Sequence, residues 1–277
     1  MVDIEGIGRT AFLISELRAE EADRTPNLFD DPYARLFSSP GSKMAVQRAH
    51  SLGPLFAAAL RSRVRWFDDL LQRELDGGVR QVMLLGAGMD CRALRFARAG
   101  VRYFEVDAPG VLAFKAERLA SAGHAPGAVA VGVDYLAPGL MDRLAAHGFD
   151  PALRTLVIWE GNLCYLPPDQ ARALLRVLAR SISDVLVAFD YFGPEVVEGR
   201  SQVPSLNQAA AMLRQMGAPW QCAVTDLQAL ARESDLEVVG RSTMGEVMAR
   251  LMPDPSLTDG YGAEVAYGLL ASAGRRG

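Results

Sequence analysis

The sequence of 277 residues contains little cysteine, little histidine and no excess of positive charge. Cys91, Cys164 and Cys222 are scattered, with no C-x-x-C pair and no histidine at ligand spacing, which predicts reduced thiols in a cytoplasmic protein and no metal site. The net charge of −4 argues against a nucleic acid partner. No run approaches the roughly 20 apolar residues of a membrane span, and the acidic amino terminus is unlike a signal peptide.

Seven short apolar runs after residue 80 predict the strands of one sheet. They cover residues 81–85, 102–106, 128–133, 155–159, 185–189, 236–240 and 264–270. Helical stretches separate most of these runs, which predicts an α/β fold with a doubly wound, mostly parallel, Rossmann-like sheet. The loop at 252–262 precedes the last run, and no full helix is expected between strands six and seven. An antiparallel final strand is therefore expected.

The remaining parts of the chain predict additions to this sheet. Residues 1–79 contain no comparable strand and predict a helical cap, with helices over 10–23 and 54–75. Residues 80–277 form the Rossmann-like part, and cap and sheet are expected to make one structural unit. Within it, residues 193–221 contain one short amphipathic helix and are expected to form a lid beyond the carboxyl end of the sheet.

The turn after the first predicted strand indicates a ligand site. Gly86 and Gly88 permit a tight turn and the close approach of a ligand. The third glycine of the dinucleotide fingerprint is replaced by Cys91, which disfavours NAD and FAD. Glu105 and Asp107 follow about 20 residues later, where an acid can accept hydrogen bonds from ribose hydroxyls. A ribose site without a phosphate-binding loop is typical of S-adenosylmethionine.

Four segments occur in the order and spacing of one family: "RSRVRWFDD", "LLGAGMDCRALRF", "FEVDAPGVLAFK" and "WEGNLCYLPPDQARALL". The chain resembles the leucine carboxyl methyltransferase family of S-adenosylmethionine-dependent O-methyltransferases. Its segment "RAEEADRTPNLFDDPYARLF" resembles the bacterial branch that includes polyketide carboxyl O-methyltransferases. The resemblance spans most of residues 16–180 and implies the class I methyltransferase fold with S-adenosyl-L-methionine as cofactor.

The resemblance also implies roles for seven residues around the cofactor. These are Arg63 at the carboxylate, Gly86 and Gly88 under the methionine part, Asp107 at the ribose, Asp134 and Tyr135 at the adenine, and Glu160 beside the amino acid. Burial of Glu160 next to Trp159 would require a neutralising charge, which the sulfonium-bearing amino acid can supply. A solvated helix face shared with Arg65 is the alternative for Arg63.

Three residues are the candidates for contacting the methyl acceptor, namely Tyr165, Asp190 and Tyr191. Tyr165 belongs to the fourth motif, although packing of its loop is an equal alternative. Asp190 and Tyr191 follow the fifth strand at the carboxyl edge of the sheet, and a structural role for Asp190 is as plausible. None of the three histidines lies in a motif, so no general base is evident. This favours an acceptor that is already ionised, such as a carboxylic acid with a pKa near about 4.

The sequence therefore predicts an O-methyltransferase for a small-molecule carboxylate such as a polyketide-derived acid. Alternatives are a phenolic or hydroxyl acceptor, a protein C-terminal carboxylate, and a non-catalytic binding protein on the same fold. Cys91 and Asn162 depart from the family, which commonly has threonine or serine and an apolar residue at these places, so acceptor preference can differ from that of relatives. The apolar cap helix around Leu55 leaves the oligomeric state open.

Overall fold

The cap is helical, and two of its helices begin with recognisable signals. A computed structural model describes residues 7–252, 254 and 261–273, with the backbone only for residues 7–10. The cap contains α1 (Ile7–Glu21), a 3₁₀ turn (Ala34–Phe37), α2 (Pro40–Ser51) and α3 (Pro54–Asp76). The side chains of Ser39 and Ser42 form a capping box at the start of α2, and α2 and α3 both have proline in the first turn.

The rest of the described chain alternates strands and helices. The strands are β1 (Gln81–Leu85), β2 (Arg102–Asp107), β3 (Val129–Gly132), β4 (Thr155–Trp159), β5 (Val185–Phe192), β6 (Leu236–Thr243) and β7 (Val265–Ser272). The helices are α4 (Arg92–Arg95), α5 (Pro109–Ser121), α6 (Leu140–Ala146), α7 (Pro168–Ser181), α8 (Pro194–Glu198), α9 (Pro204–Gln215), α10 (Leu227–Glu233) and α11 (Met244–Leu251).

The seven strands form one sheet in the order β3-β2-β1-β4-β5-β7-β6. The first five strands pair in parallel, and β7 lies antiparallel between β5 and β6. This confirms the predicted doubly wound, mostly parallel sheet and its antiparallel last strand. Because the carboxyl ends of β1 to β5 meet at one edge, the loops that follow them converge there.

Helices cover both faces of the sheet, and alternate residues of each strand point to opposite faces. Leu84 and Leu156 belong to the core on the side of α3, whereas Met83 and Val157 belong to the core that includes α7. The central strands β1, β4 and β5 are buried along their whole length. This two-sided burial explains why their sequences are continuous apolar runs.

Two details of the sequence prediction need correction. The connection between β6 and β7 contains the helix α11, which packs against α3 and begins at a capping box formed by Thr243 and Glu246. That helix was missed because it has only eight residues, which is too short for a clear helical periodicity. Residues 253 and 255–260 of the predicted loop lie outside the described residues.

The segment 193–221 contains two helices, α8 and α9, where one was expected. Leu206, Ala209 and Leu213 of α9 are buried in the same core as α3. The segment is therefore packed against the body of the protein, and its role as a lid stays a prediction. In the described part of the chain, no helix has both the length and the apolar character that a membrane crossing requires.

Candidate functional site

A cavity of about 590 Å³ opens at the carboxyl ends of β1 to β4. Its walls come from the turn after β1, the start of α5, the loop after β3 and the turn after β4. Helix α1 adds a further wall through residues 11, 14, 15 and 18. The cavity thus lies where open α/β sheets bind their ligands, and the cap forms one side of its wall.

All seven residues expected around a cofactor border this cavity: Arg63, Gly86, Gly88, Asp107, Asp134, Tyr135 and Glu160. The three residues expected at the acceptor, Tyr165, Asp190 and Tyr191, are not among its lining residues. The structure therefore brings the first group together and places the second group in the surrounding packing.

Asp107 connects the glycine turn to the following helix. Its Oδ2 accepts a hydrogen bond from the Gly88 backbone N–H at 2.7 Å, and its Oδ1 accepts one from the Ala108 N–H at 2.7 Å. Burial raises the pKa of Asp107 above its ordinary value, although these two hydrogen bonds oppose the rise. A carboxylate has about four lone-pair sites, so Asp107 keeps acceptor capacity for a ligand hydroxyl.

Both glycines of the turn make room for other protein atoms. Gly86 and Gly88 adopt φ values of +68° and +50°, which favour glycine. A Cβ at Gly86 would lie 2.6 Å from Nδ2 of Asn162, and a Cβ at Gly88 would lie 3.1 Å from the Cβ of Ala11 in α1. The place of a side chain at each glycine is thus taken by Asn162 or by α1, while both glycines still border the cavity, so their contact with a ligand stays a prediction.

Arginines neutralise Glu160, so the expected neutralisation by the cofactor is not required. Glu160 accepts hydrogen bonds from Nη1 of Arg92 at 2.6 Å and from Nε of Arg63 at 3.1 Å. Burial alone would raise the pKa of Glu160, but the charges of Arg92, Arg63 and Arg18 outweigh burial and hold the pKa below its ordinary value. Glu160 is therefore ionised in the folded protein at neutral pH.

Arg63 is buried in the cavity wall and does not form a solvated face. Its Nε contacts Glu160, and its Nη1 donates to Oδ2 of Asp190 at 3.4 Å. Arg65, two positions along α3, is instead partly exposed and pairs with Asp69 at 2.6 Å. The alternative of a shared solvated face for Arg63 and Arg65 was therefore wrong.

Sequence reasoning missed two arginines of the site. Arg92 is fully buried and donates to Asp90 at 2.5 Å and to Asp68 at 2.7 Å, besides its bond to Glu160. Arg18 of α1 is 4 % exposed and lines the cavity. Both lie in segments that carry the family resemblance, Arg18 at the start of "RAEEADRTPNLFDDPYARLF" and Arg92 within "LLGAGMDCRALRF", and these segments were the signal that could have found them.

Asp190 and Tyr191 hold neighbouring backbone and side chains in place. Oδ1 of Asp190 accepts a hydrogen bond from the Gly161 N–H at 2.6 Å, which fixes the turn after β4. The hydroxyl oxygen of Tyr191 accepts a hydrogen bond from Nε of Arg241 at 2.9 Å. Tyr165 is buried in the core on the side of α3. All three side chains are at least nine-tenths buried.

The loop after β3 contributes Asp134 and Tyr135 to the cavity wall. Oδ1 of Asp134 accepts a hydrogen bond from the Leu136 N–H at 3.0 Å and the residue is exposed. Tyr135 is half-buried, and this burial raises its pKa to about 12. An exposed carboxylate beside an aromatic ring provides a hydrogen-bond acceptor next to a flat apolar surface.

Comparisons of the sequence with known proteins all find methyltransferases. The sequence profile described as leucine carboxyl methyltransferase matches residues 11–179. A protein of Parafrankia sp., provisionally named an S-adenosyl-L-methionine-dependent methyltransferase, is 37% identical over 219 residues, which cover 74% of this chain and 70% of that protein. A relative from Streptomyces avermitilis with the same provisional name is 37% identical over 226 residues, which cover 76% of this chain and 78% of the relative.

Solved structures support the fold. A DUF574 family protein from Streptomyces avermitilis superposes with a TM-score of 0.66 and 16% identity, covering 95% of this chain and 96% of that one. A magnesium protoporphyrin IX methyltransferase from Synechocystis, crystallised with bound S-adenosylhomocysteine, has a TM-score of 0.51 and 10% identity, covering 83% and 94% of the two chains. At these identities the likeness shows the class I methyltransferase fold.

Sheet order, cavity and relatives together define a methyltransferase that uses S-adenosyl-L-methionine. The chain belongs to the leucine carboxyl methyltransferase family. The residues present fit that cofactor: Asp107 supplies an acceptor for hydroxyls, and Arg18 has a buried Nε without a hydrogen-bond partner in the described part of the chain. Both features suit a ligand that combines a ribose with an amino acid.

Proposed function

We propose that the protein transfers the cofactor's methyl group to the carboxylate oxygen of a small organic acid, such as a polyketide-derived acid. One observation carries this proposal: the described residues that line the cavity include no histidine, and two of its carboxylates, Asp90 and Glu160, are held ionised by arginines. Neither of these two acids can take up a proton at neutral pH, because the pKa of each is lowered. An acceptor that arrives already ionised needs no such base.

The residues of the cavity wall have separate proposed roles. Asp107 binds the ribose hydroxyls, and Asp134 with Tyr135 receives the adenine at the exposed end of the cavity. The cofactor supplies a methyl group already activated on its sulfonium. The protein then has to align the acceptor oxygen and exclude water, and the cap helix α1 serves the second purpose by covering the cavity.

The proposed roles of the three acceptor candidates differ. Asp190 acts as a positioning residue, because it holds Gly161 and Arg63 and does not border the cavity. Tyr165 and Tyr191 stay candidates for contacting the acceptor once it is bound. The three buried free cysteines support a reducing compartment, and we propose the cytoplasm.

Methyl transfer from a labelled cofactor tests which kind of oxygen, carboxylate or phenolic, receives the methyl group. A set of aromatic carboxylic acids and the phenols of matched shape would be incubated with the protein and with S-adenosylmethionine carrying a labelled methyl group. Carboxyl esters release labelled methanol in mild alkali, whereas phenol ethers do not. We expect alkali-labile product from the acids only.

The pH dependence of the methyl-transfer rate further distinguishes a carboxylic acid acceptor from a phenol. A carboxylic acid with a pKa near about 4 should react at a rate that is constant between about pH 6 and 8, whereas a phenol with a pKa near about 10 should react faster with each added pH unit. Alkali-stable product whose rate rises with pH would replace the carboxylate proposal with the phenolic alternative. Cofactor binding without any transfer would favour a non-catalytic role.

A further inference from the structure

Lys115 of α5 is buried behind the turn that follows β1, outside the lining of the cavity. Its side chain is 3% exposed, and its Nζ lies 2.7 Å from Oε1 of Glu105 on β2. The same Nζ donates a hydrogen bond to the backbone carbonyl of Asp90, at the end of the turn. One buried ammonium group, which has three N–H donors, thus joins α5, β2 and the turn.

Glu105 is one of the two acids that the sequence placed within reach of a ribose. In the structure only the other acid, Asp107, is among the described residues that border the cavity. Glu105 is buried, and its carboxylate contacts Lys115. Lys115 therefore holds this carboxylate outside the cavity and leaves Asp107 as the acid at the proposed ribose position.

The charged form of Lys115 is maintained by Glu105. Burial alone would lower the pKa of Lys115, but the negative charge of Glu105 contributes most to holding this pKa above its ordinary value. Burial raises the pKa of the neighbouring Cys91 to about 12, so that thiol is uncharged at neutral pH. The carboxylate of Asp90 is paired with Arg92. Lys115 is therefore a charged donor whose counter-ion is Glu105.

The turn after β1 is held from two directions. The N–H of Gly88 donates to Oδ2 of Asp107 at 2.7 Å, which ties the middle of the turn to β2. Lys115 ties the end of the turn, at the carbonyl of Asp90, to α5. The side chain of Asp90 borders the cavity and pairs with Arg92. A shift of the Asp90 backbone would therefore change the wall of the cavity itself.

We propose that Lys115 is a positioning residue for cofactor binding, which fixes the turn through the carbonyl of Asp90 and holds Glu105 outside the cavity. A hydrogen bond from a charged donor is stronger than one between neutral groups, and burial protects it from competition with water. Removal of the amine frees the turn without changing any residue that lines the cavity. The proposal rests on the cavity being the cofactor site and is independent of the acceptor's identity.

The test separates loss of the bond to the turn from loss of the ion pair. Calorimetric titrations of the full chain would use S-adenosylhomocysteine and 5′-methylthioadenosine, which has the same adenosine and thioether without the amino-acid part. The variants are Lys115→Met, Glu105→Leu and the double variant. Both proteins with Lys115→Met should lose about tenfold or more in affinity for both ligands, because the turn that holds Asp107 is released. Glu105→Leu keeps the bond to Asp90 and should retain the natural affinity.

Urea unfolding of the same variants should follow the ion pair instead. Lys115→Met and Glu105→Leu each leave a buried charge without its partner, so both should lower the urea midpoint. The double variant replaces the pair by two apolar side chains of similar volume and should recover most of the loss. Glu117→Leu, at an exposed acid of α5, is the matched control and should change neither affinity nor midpoint.

The double variant decides between the two roles of Lys115. Natural affinity in this variant would overturn the proposal, because affinity would then follow stability and Lys115 would serve only the ion pair. A loss of affinity in Glu105→Leu as large as that in Lys115→Met would also overturn it.

The natural protein provides the control for the wider assignment of the cavity. If it binds neither ligand while remaining folded, the cavity is not the cofactor site, and the proposed function fails with it. If the natural protein and all the variants bind both ligands alike, the cofactor site stands and the role of Lys115 alone is wrong.

Discussion

The carboxamide of Asn162 occupies the space that a side chain at Gly86 would need. Its Nδ2 donates to the carbonyl of Glu160 at 2.7 Å and to the carbonyl of Gly86 at 3.3 Å. Because carbonyl oxygens only accept, the amide nitrogen must face them, and the orientation of the group is fixed. The turn after β1 and the turn after β4 are thereby joined at the floor of the cavity.

Alanine substitutions of three glycines should separate backbone strain from collision. Gly86, Gly88 and Gly100 all have positive φ, but a Cβ would meet Asn162 at 2.6 Å, Ala11 at 3.1 Å, and nothing within 4 Å, respectively. Gly100→Ala should cost about 1 to 2 kcal/mol of unfolding free energy for the left-handed backbone alone. Gly88→Ala should cost somewhat more, and Gly86→Ala the most.

Urea unfolding measures these costs, and a second substitution tests their cause. Asn162→Gly should recover part of the stability lost in Gly86→Ala, because it removes the atoms that the new Cβ meets. Equal losses at Gly86 and Gly100 would show that the contact with Asn162 adds nothing to the cost of the backbone conformation.

Removal of the Asp107 carboxylate should weaken the binding of every ligand that contains the ribose. Asp107→Ala is expected to reduce the affinity for S-adenosylhomocysteine and for methylthioadenosine alike, by about 1 to 3 kcal/mol. Glu117→Ala, an exposed acid on the neighbouring helix α5, is the matched control and should change neither. Titration calorimetry measures the affinity of each variant for both ligands. Unchanged affinity in Asp107→Ala would remove this residue from the ribose role.

Acid should destabilise the protein partly through Asp90. Burial opposes ionisation of Asp90, but Arg92 and Arg18 outweigh it and hold its pKa well below the ordinary value. The unfolded chain, with an Asp pKa near about 3.9, then binds more protons than the folded one, so stability present above about pH 4 is lost as the pH falls. The expected slope from this one group is about 1.4 kcal/mol per pH unit.

Asp90→Asn isolates that contribution. The variant should be less stable than the natural protein at pH 7, and the difference should shrink as the pH is lowered through about 4 and below. Urea unfolding at several pH values provides the comparison. A difference that stays constant across this range would mean that the charge of Asp90 is not what stabilises the fold.

The hydroxyl of Tyr191 should matter for stability and not for cofactor binding. Tyr191→Phe removes the hydrogen bond from Arg241 and is expected to cost about 1 kcal/mol of unfolding free energy. The affinity for S-adenosylhomocysteine should be unchanged, because Tyr191 does not border the cavity. Loss of methyl transfer without loss of stability would instead place this hydroxyl at the acceptor, as the sequence suggested.

The parts of the site that the sequence predicted lie at the ends of predicted strands. Gly86 and Asp134 follow β1 and β3, and Asp107 ends β2, so chain order and strand pattern were enough to bring them to one edge of the sheet. Apolar spacing predicted the helix α3, and the family resemblance singled out Arg63 on it. Local pattern and parallel topology thus sufficed for the cofactor side of the cavity.

The arginine network could not be predicted in the same way. Arg92 and Glu160 are 68 positions apart, and the burial of each depends on the other's charge. Helical charged stretches such as the one around Arg18 are usually solvated, and only the packing of α1 over the turn at Gly88 makes this one interior. Such contacts depend on how the helices pack on the sheet and on each other. The periodicity of apolar residues along the chain carries no information about that packing.

The positions of α1 and of the end of β7 relative to the cavity have a practical consequence for preparing the protein. Helix α1, which begins at residue 7, forms part of the cavity wall, so an affinity tag on the amino-terminal side of this helix risks disturbing the packing of the cap. Strand β7 runs antiparallel to β5 and finishes at the edge of the sheet remote from the cavity. A tag attached after that strand is the safer choice for the titrations described above.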